Sequence, residues 1–191
     1  MTISFICRLS LLFLSGFVSL LPCSAAAAGR AEIVEVRVTP RAENLELGLR
    51  IQNCFTPKME EAILSGVLTT FRIRIVLERS GPSFLRARLL DTTLDRTVKY
   101  EPLGGEFRVK LPEQPDRVLI TKDFHEAKGW MSRIRDLPII SLDSLQRGVK
   151  YELRIKAELS KFHLPLFFRY IFFFVSMWDF ETDWHKVPFS F

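Results

Sequence analysis

The chain is poor in cysteine, and most of the cysteine it has lies near its start. Of three cysteines in 191 residues, Cys7 and Cys23 fall within the first 28 residues, which leaves Cys54 alone in the rest. A single thiol cannot form an internal disulfide, so burial of apolar side chains must hold the fold together. Cys54 follows an alternating segment, and we expect it to be a small buried residue rather than a reactive thiol.

Residues that mark catalytic or metal sites are also scarce. The three histidines are His125, His163 and His185, and none has a second histidine or a cysteine at metal-ligand spacing. The sequence contains no HExxH, CxxC or GxSxG motif and no phosphate-binding glycine loop. We therefore predict a protein that has no catalytic residue, no metal and no cofactor. The remaining enzyme hypothesis is a hydrolase that uses His125 with Asp123 or Glu126.

The first 28 residues have the order of a secretory signal peptide. Arg8 supplies a positive charge, Leu9 to Leu21 is an apolar run, and Ala25 to Ala28 offer cleavage sites. The run is shorter than the ~20 residues that a membrane-spanning helix needs. We expect cleavage after residue 28 and export to the periplasm or cell envelope. A lipoprotein acylated at Cys23 is the weaker alternative, because Pro22 stands where a small residue is required.

The remaining residues, 29–191, are enough for one domain with a hydrophobic core. Removal of the first 28 residues takes away only Arg8, so 26 basic minus 22 acidic residues leave a net charge of +4, against +5 for the whole chain. Outside the cytoplasm such an excess argues against nucleic acid as a partner. It suits a solvated surface, or contact with an anionic membrane.

Alternation of apolar and charged residues with a period of two dominates this domain. ENLELGLRIQN, FRIRIVLER and VKYELRIKAEL each place apolar side chains on one face and charged ones on the other, as half-buried strands do. Turn residues in PRAEN, SGPS and PLGG predict hairpins. We predict a mainly β fold, an antiparallel β-sandwich or open barrel of about seven or eight strands. The shorter candidate strands are Ile33–Thr39, Phe84–Leu90, Leu94–Glu101, Glu106–Leu111 and Arg117–Thr121.

Two short helices are predicted between the strands. Thr56 is the expected N-cap of the first, with Pro57 in its first turn and Gly66 at its end. Asp123 is the expected N-cap of the second, and Glu126 three residues later suggests a capping box. We expect the apolar stripe of the second helix to pack on the core rather than on a cofactor. That stripe consists of Ala127, Trp130, Met131 and Ile134.

The C-terminal segment, residues 162–191, is rich in aromatic side chains, with nine of the 17 phenylalanines and two of the three tryptophans. As a helix, the apolar run Leu164–Trp178 would span about 22 Å, which is short of a ~30 Å hydrocarbon core, and it contains a charged residue. We expect this run to close the β core, or alternatively to contact a membrane or lipid. The side chains that we expect a partner or lipid to contact are Phe167, Phe168, Arg169, Tyr170, Phe172, Phe173, Phe174, Trp178, Phe180 and Trp184.

Carboxylates alternate with other residues in DFETDW, which begins at Asp179. A calcium loop of the EF-hand type needs glycine at its sixth position and glutamate at its twelfth, where this chain has Trp184 and Ser190. On a strand the three carboxylates would share one solvated face. The opposite face would carry Phe180, Thr182 and Trp184.

Four stretches, taken in order, resemble successive blocks of the bacterial domain-of-unknown-function family 4390. They are MEEAILSGVLTTFRIRIVLER, VKYEPLGGEFRV, GVKYELRIKAELSK and LPLFFRYIFFFVSMWDFETDW. Family members are similar in having a signal peptide and a Leu-Pro segment followed by spaced tryptophans, here Leu164, Pro165, Trp178 and Trp184. Members' genes often lie near those of membrane sensor kinases, so the resemblance implies a context of envelope signalling. It implies no catalytic residue.

These features predict an exported binding or accessory module of the bacterial envelope, with a membrane-bound sensor or transporter as its partner. The alternative is a periplasmic module that binds lipid or another hydrophobic ligand through the Phe-rich segment.

Overall fold

The computed structural model describes residues 29–81, 87–160 and 180–191. The predicted signal peptide, part of the SGPS turn and the whole apolar run Leu164–Trp178 therefore lie outside the described residues. Within the described residues a short 3-10 helix, Leu142–Ser144, accompanies nine strands and two α-helices. In chain order these are β1 (Glu32–Arg41), β2 (Asn44–Gln52), α1 (Pro57–Leu64), β3 (Thr69–Arg79), β4 (Arg88–Glu101), β5 (Glu106–Lys110), β6 (Val118–Thr121), α2 (Phe124–Ser132), β7 (Arg133–Ser141), β8 (Lys150–Leu159) and β9 (His185–Ser190).

The strands form two antiparallel sheets. One has three strands in the order β1-β2-β7, and the other has six in the order β6-β5-β4-β3-β8-β9. Hairpins connect β1 to β2 and β4 to β5, as the PRAEN and PLGG turns predict. The prediction of a mainly β, sandwich-like fold with two short helices is confirmed.

A continuous cluster of buried apolar side chains joins the two sheets. The side chains predicted to point inward from the three clearest alternating segments are buried, except Val149, which precedes β8 and is half-buried. Burial of a large apolar side chain contributes roughly 1.5–3 kcal/mol. The buried ones are Leu45, Leu47, Leu49 and Ile51 of β2, Phe71, Ile73, Ile75 and Leu77 of β3, and Tyr151, Leu153, Ile155, Ala157 and Leu159 of β8.

Cys54 lies in this core as a free thiol, as predicted. Its Sγ donates a weak hydrogen bond to the carbonyl oxygen of Ile51 at 3.5 Å. Burial raises the pKa of the thiol to about 12, so it stays protonated and unreactive at neutral pH.

The first helix begins and ends where the sequence predicts. The backbone N–H of Met59 donates to Oγ1 of Thr56 at 3.2 Å, which satisfies one of the free donors of the first turn. Gly66 follows the helix with φ +84, a left-handed conformation that glycine adopts without steric cost.

The second helix is capped by Asp123, whose Oδ1 accepts from the backbone N–H of His125 at 2.7 Å. The predicted capping box is wrong. Oε2 of Glu126 accepts from the hydroxyl of Thr121 at 2.6 Å, and that hydroxyl accepts from the backbone N–H of Asp123 at 3.0 Å. The threonine hydroxyl therefore stands between the two groups that a capping box would join. Neither helix in the described part of the chain is long and apolar enough to cross a membrane.

The candidate strand Leu94–Glu101 and the described end of the candidate Phe84–Leu90 both belong to the single strand β4, so their separation was wrong. Strand β7 was not predicted. Helix α2 ends at Ser132, and β7 begins at the next residue, so Ile134 is a buried strand residue rather than the end of the helical stripe. Pro138 within this run argues against a strand when the sequence alone is considered, because proline has no N–H to donate to a sheet ladder. It is tolerated here because β7 is an edge strand that pairs with β2 alone.

A charged side chain is buried on the inner face of β4. Arg96 is 1% exposed, and one Nη donates to the carbonyl oxygens of Trp130 at 2.8 Å and Arg133 at 2.6 Å. Its other Nη pairs with Glu113. The carbonyls belong to the C-terminal turn of α2 and the start of β7, so Arg96 fixes that junction against the large sheet. Burial lowers the pKa of Arg96 to about 10, and the guanidinium remains charged at neutral pH.

Candidate functional site

Two of the side chains predicted to contact a partner or lipid lie in the described residues. Phe180 is buried in the core, where its ring packs edge-to-face on Phe71 with 4.7 Å between the ring centroids. Trp184 is half-buried at the surface. The other predicted contact residues lie outside the described residues: Phe167, Phe168, Arg169, Tyr170, Phe172, Phe173, Phe174 and Trp178.

Trp184 reaches the outer face of the six-stranded sheet because the ladder slips by one residue. Glu158 lies opposite Glu181, and Ile155 lies opposite His185, so β8 advances three residues while the last segment advances four. One extra residue reverses the alternation of side chains. Strict alternation from the preceding residues predicts the inner face for Trp184, and that prediction is wrong.

Thr182 holds the strand at the slip. Its backbone N–H donates to the carbonyl oxygen of Ala157 at 2.9 Å, and its Oγ1 accepts from the backbone N–H of Ala157 at 3.0 Å. In a regular ladder the second bond would go to a backbone carbonyl. The side chain takes the place of that carbonyl, which leaves the backbone after Thr182 able to bulge.

The ring of Trp184 lies among three cations of the large sheet. The guanidinium carbon of Arg154 lies 5.5 Å from the ring centroid, Nζ of Lys156 lies 5.9 Å away, and the guanidinium carbon of Arg74 lies 6.0 Å away. These distances fall within the range of cation–π attraction. The sequence gives no signal for this contact, because the three cations are 28 to 110 positions away and the slip that exposes the ring is invisible in the residue pattern.

Beside the ring is a depression of about 730 Å³, which we call the Trp184 groove. Two ion pairs with parallel hydrogen bonds form its floor. Arg72 binds both oxygens of Asp95 at 2.9 Å, and Arg74 binds those of Asp91 at 2.9 and 2.8 Å. The hydrogen bond from Arg74 lowers the pKa of the Asp91 carboxyl. The groove is lined by Arg72, Arg74, Asp91, Asp95, Lys156 and Trp184, among others.

A second row of charges continues the pattern along the sheet. Oε1 of Glu78 accepts from Arg154 at 2.8 Å and from Arg88 at 3.3 Å. Between these long side chains Val76, although on the outer face, is fully buried. The cations around Trp184 thus have their own carboxylate partners, and their positions are fixed before any ligand arrives.

Comparison with known proteins assigns the chain to a family. A model described as "Domain of unknown function (DUF4390)" matches residues 28–188. The chain belongs to this family. The resemblance read from the sequence is thereby confirmed, over most of the chain. No curated protein and no solved structure matches the chain.

The acidic stretch of this DUF4390 chain is paired rather than bare. Glu181 and Asp183 are both exposed. Glu181 forms an ion pair with Lys156, and Oδ2 of Asp183 lies 3.3 Å from Nη1 of Arg30. Asp179 lies outside the described residues. No group of three or more histidine, cysteine, aspartate or glutamate residues that could hold a metal ion occurs among residues 29–81, 87–160 and 180–191.

The hydrolase hypothesis places His125 with Asp123 and Glu126. All three are exposed and line a depression of about 800 Å³ beside α2. Both carboxylates hold other donors, namely a backbone N–H and the Thr121 hydroxyl. In the described part of the chain neither carboxylate binds the imidazole, so the triad geometry that would raise the basicity of the ring is not formed there.

Proposed function

We propose that this DUF4390 protein is an exported, non-catalytic binding module of the cell envelope, and that the Trp184 groove is where it contacts a protein partner. The observation that carries the proposal is the placement of Trp184. A half-exposed tryptophan, flanked by arginines, lies beside a groove of about 730 Å³. Tryptophan and arginine are enriched among the residues that carry most of the energy of protein interfaces.

The rigidity of the surroundings supports a binding role. Binding is weakened by the entropy lost when mobile side chains become ordered. Here Arg74 and Arg154 are held by carboxylates, and Trp184 lies against both of them. A partner that covers the tryptophan would therefore meet a surface that is already arranged.

The electrostatics of the groove also favour binding over acid–base chemistry. Arg74 lowers the pKa of Asp91, so this carboxylate stays ionised and is a weak base. Arg72 holds a second groove carboxylate, Asp95, through two hydrogen bonds. A mixed floor of fixed positive and negative groups suits a partner surface that carries both signs, such as a polar protein face with one apolar side chain for Trp184.

The test is affinity capture from envelope extracts with the full chain, followed by measurement of the Kd of the captured partner once it is purified. Trp184→Ala should weaken binding by about thirtyfold, the loss expected for an interface residue worth ~2 kcal/mol. Leu103→Ala is the matched control, because Leu103 is a fully exposed apolar residue in the β4–β5 turn, outside the groove. Equal Kd values for the wild type and Trp184→Ala would refute the proposal.

A further inference from the structure

The three-stranded sheet has its own depression, of about 450 Å³, on the face that points away from the core. Its floor is at Gly48 in the middle strand, between Leu47 and Leu49, whose side chains are buried in the core. Because glycine has no side chain, the outer surface of the sheet is open at this position.

Both neighbouring strands bulge beside Gly48. Val34 lies opposite Arg50 and Arg37 opposite Gly48, so β1 advances three residues where β2 advances two. The bulge contains Glu35, which has φ +55. Non-glycine residues rarely adopt this conformation, and bulges re-aim the side chains around them.

The strand on the other side repeats the arrangement. Leu47 lies opposite Leu137 and Leu49 opposite Ile134, so β7 also gains one residue against β2. In this bulge Asp136 has φ +47. Two strained bulges on either side of one glycine form a depression that a regular sheet would not have.

The carboxylates that line this depression already have cationic partners. Glu35 accepts from Nη2 of Arg50 at 2.7 Å. Arg41 lies 3.6 Å from Glu46 and 3.9 Å from Asp136. These two arginines thus hold all three carboxylates and leave one negative charge uncompensated.

Three further arginines line the depression: Arg37, Arg133 and Arg135. Among the described residues, none of their side chains has a hydrogen bond or an ion pair. Arg133 and Arg37 are near enough to Glu35 to lower its pKa, after the larger effect of the Arg50 hydrogen bond. Five arginines (these three with Arg41 and Arg50) against three carboxylates give the groove a net charge of +2. We call it the arginine groove.

Planar guanidinium groups bind carboxylate and phosphate oxygens with two parallel hydrogen bonds. One carboxylate has two oxygens, which cannot occupy three guanidinium groups. A phosphoryl group has three or four oxygens and up to two charges. We propose that the arginine groove binds a phosphoryl group, either of a free phosphate ester or of a phospholipid head group, seated over Gly48 between Arg37 and Arg133.

The depression beside α2 adjoins the arginine groove and carries charges of both signs, with Glu113, Asp123 and Glu126 in its lining. Arg133 and Arg135 also line the 800 Å³ depression beside α2, together with Arg117. Trp130 and Leu119 are in the same lining. The body of an esterified phosphate would lie there, with its organic part against the tryptophan.

Gly48 offers a variant that fills the groove without disturbing the sheet. A Cβ at this position would lie 3.8 Å from the carbonyl oxygen of Ile134 and 4.0 Å from Cβ of Arg37, which are ordinary contacts. β-branched residues are favoured in strands. Gly48→Val should therefore fold at least as well as the wild type and lose binding. Arg133→Gln removes one cation without changing the floor.

The experiment uses the full chain in a phosphate-free buffer at low salt. Amide NMR spectra are recorded against inorganic phosphate, and sedimentation is measured with phosphatidylcholine vesicles that contain or lack phosphatidylglycerol. Inorganic phosphate should shift the amides of Gly48 and Arg133 with saturation. Both variants should weaken binding about tenfold or more, the loss of one charge-assisted contact. Arg108→Gln, which removes an exposed arginine from β5, is the matched control and should bind as the wild type does.

Saturable binding of free phosphate without sedimentation supports a soluble ester as the ligand. Sedimentation that needs phosphatidylglycerol and is abolished by Gly48→Val supports a lipid head group. The proposal is overturned if neither probe binds, or if Arg108→Gln weakens binding as much as Arg133→Gln does. Trp184→Ala should leave these results unchanged, which separates this site from the Trp184 groove.

Discussion

The outer faces of the two sheets contain the same kinds of charged side chain and use them differently. On the six-stranded sheet Arg72 and Arg74 each bind a carboxylate through two hydrogen bonds, and the tryptophan lies beside the second of them. On the three-stranded sheet the carboxylates are paired, but the side chains of Arg37, Arg133 and Arg135 form no hydrogen bond or ion pair among the described residues. On the six-stranded sheet Arg72 and Arg74 are neutralised by carboxylates, whereas the three-stranded sheet has positive charge that a ligand can neutralise.

Regular strand pairing accounts for the ion pairs on the six-stranded sheet, and irregular strand pairing accounts for the arginines without ion pairs on the three-stranded sheet. Strands β3 and β4 keep a regular register through the arginine–aspartate pairs, so Arg72 lies directly opposite Asp95, and Arg74, opposite Thr93, reaches Asp91 diagonally. Around Gly48 two bulges break the register, and Arg37 lies opposite the glycine, which offers it no side-chain partner across the ladder.

Each face also depends on one buried polar residue. Arg96 binds the carbonyl oxygen of Arg133 and so fixes the start of β7 beneath the arginine groove. Thr182 holds the slip that turns Trp184 outward. A substitution of Arg96 should therefore disturb the face of the three-stranded sheet, and a substitution of Thr182 that of the six-stranded sheet. Because Arg96 is a buried charge, its substitution should cost more stability.

Arg96→Ala should have the largest effect. It leaves Glu113 in a largely buried position without its cation and removes the donor to two carbonyl oxygens. Breaking one side of a buried ion pair costs about 3–5 kcal/mol, and we expect that loss in the free energy of unfolding from urea titration. The amides of Arg133 and Arg135 should shift in NMR spectra, and those around Trp184 should not.

The double variant Arg96→Met, Glu113→Gln is the control, because it removes both charges and keeps the volume. It should recover much of the lost stability, since an apolar or neutral replacement of a buried pair is often tolerated. A loss below about 1 kcal/mol for Arg96→Ala, the value typical of exposed pairs, would contradict the proposed role of burial.

The sequence predicts those parts of the fold in which a residue pattern is compatible with only one kind of local structure. Leu45 to Ile51 and Tyr151 to Leu159 alternate without interruption, and both segments are strands with the expected inward faces. Thr56 and Gly66 have local roles that do not depend on distant residues, and both were placed correctly.

The parts that were missed depend on contacts between distant segments. Strand β7 was hidden because Ile134 continues the spacing of the preceding helix and Pro138 interrupts the run. Arg37 and Arg133 are almost 100 positions apart, and only the order β1-β2-β7 brings them to one groove. For Trp184 the residue was predicted but its face was not, because a one-residue slip leaves no trace in the amino-acid pattern.

Thr182→Val should have an intermediate effect. The substitution keeps the buried shape but removes the oxygen that accepts from the backbone N–H of Ala157 at 3.0 Å. An unsatisfied buried donor costs about 1–3 kcal/mol. We expect that loss of stability together with a shift of the Trp184 indole N–H in NMR spectra, because the slip is no longer held. Thr182→Ser keeps the oxygen and should preserve both properties. An unchanged indole signal in Thr182→Val would show that the slip does not need the hydroxyl.

The smallest effects, and the most direct comparison of the two faces, come from acid titration. Asp91 on one face and Glu35 on the other both have a lowered pKa in the folded protein, chiefly through hydrogen bonds from Arg74 and Arg50 respectively. When the folded pKa lies below the unfolded one, the stabilisation is present above the unfolded pKa and is lost as pH falls through the folded pKa. Carboxyl-carbon NMR should therefore give midpoints below the ordinary values of 3.8 for Asp91 and 4.5 for Glu35.

Substitution and ligand then distinguish the two carboxylates. Arg74→Gln should raise only the Asp91 midpoint, and Arg50→Gln only that of Glu35, because the groups lie on different sheets. Arg133→Gln should raise the Glu35 midpoint slightly, since Arg133 adds a weaker attraction. An anion bound over Gly48 would cancel part of that attraction, so an excess of inorganic phosphate should raise the Glu35 midpoint and leave Asp91 unaffected. If phosphate moves both midpoints equally, the effect is general screening by salt, and the two faces do not differ in the way that their ion pairs indicate.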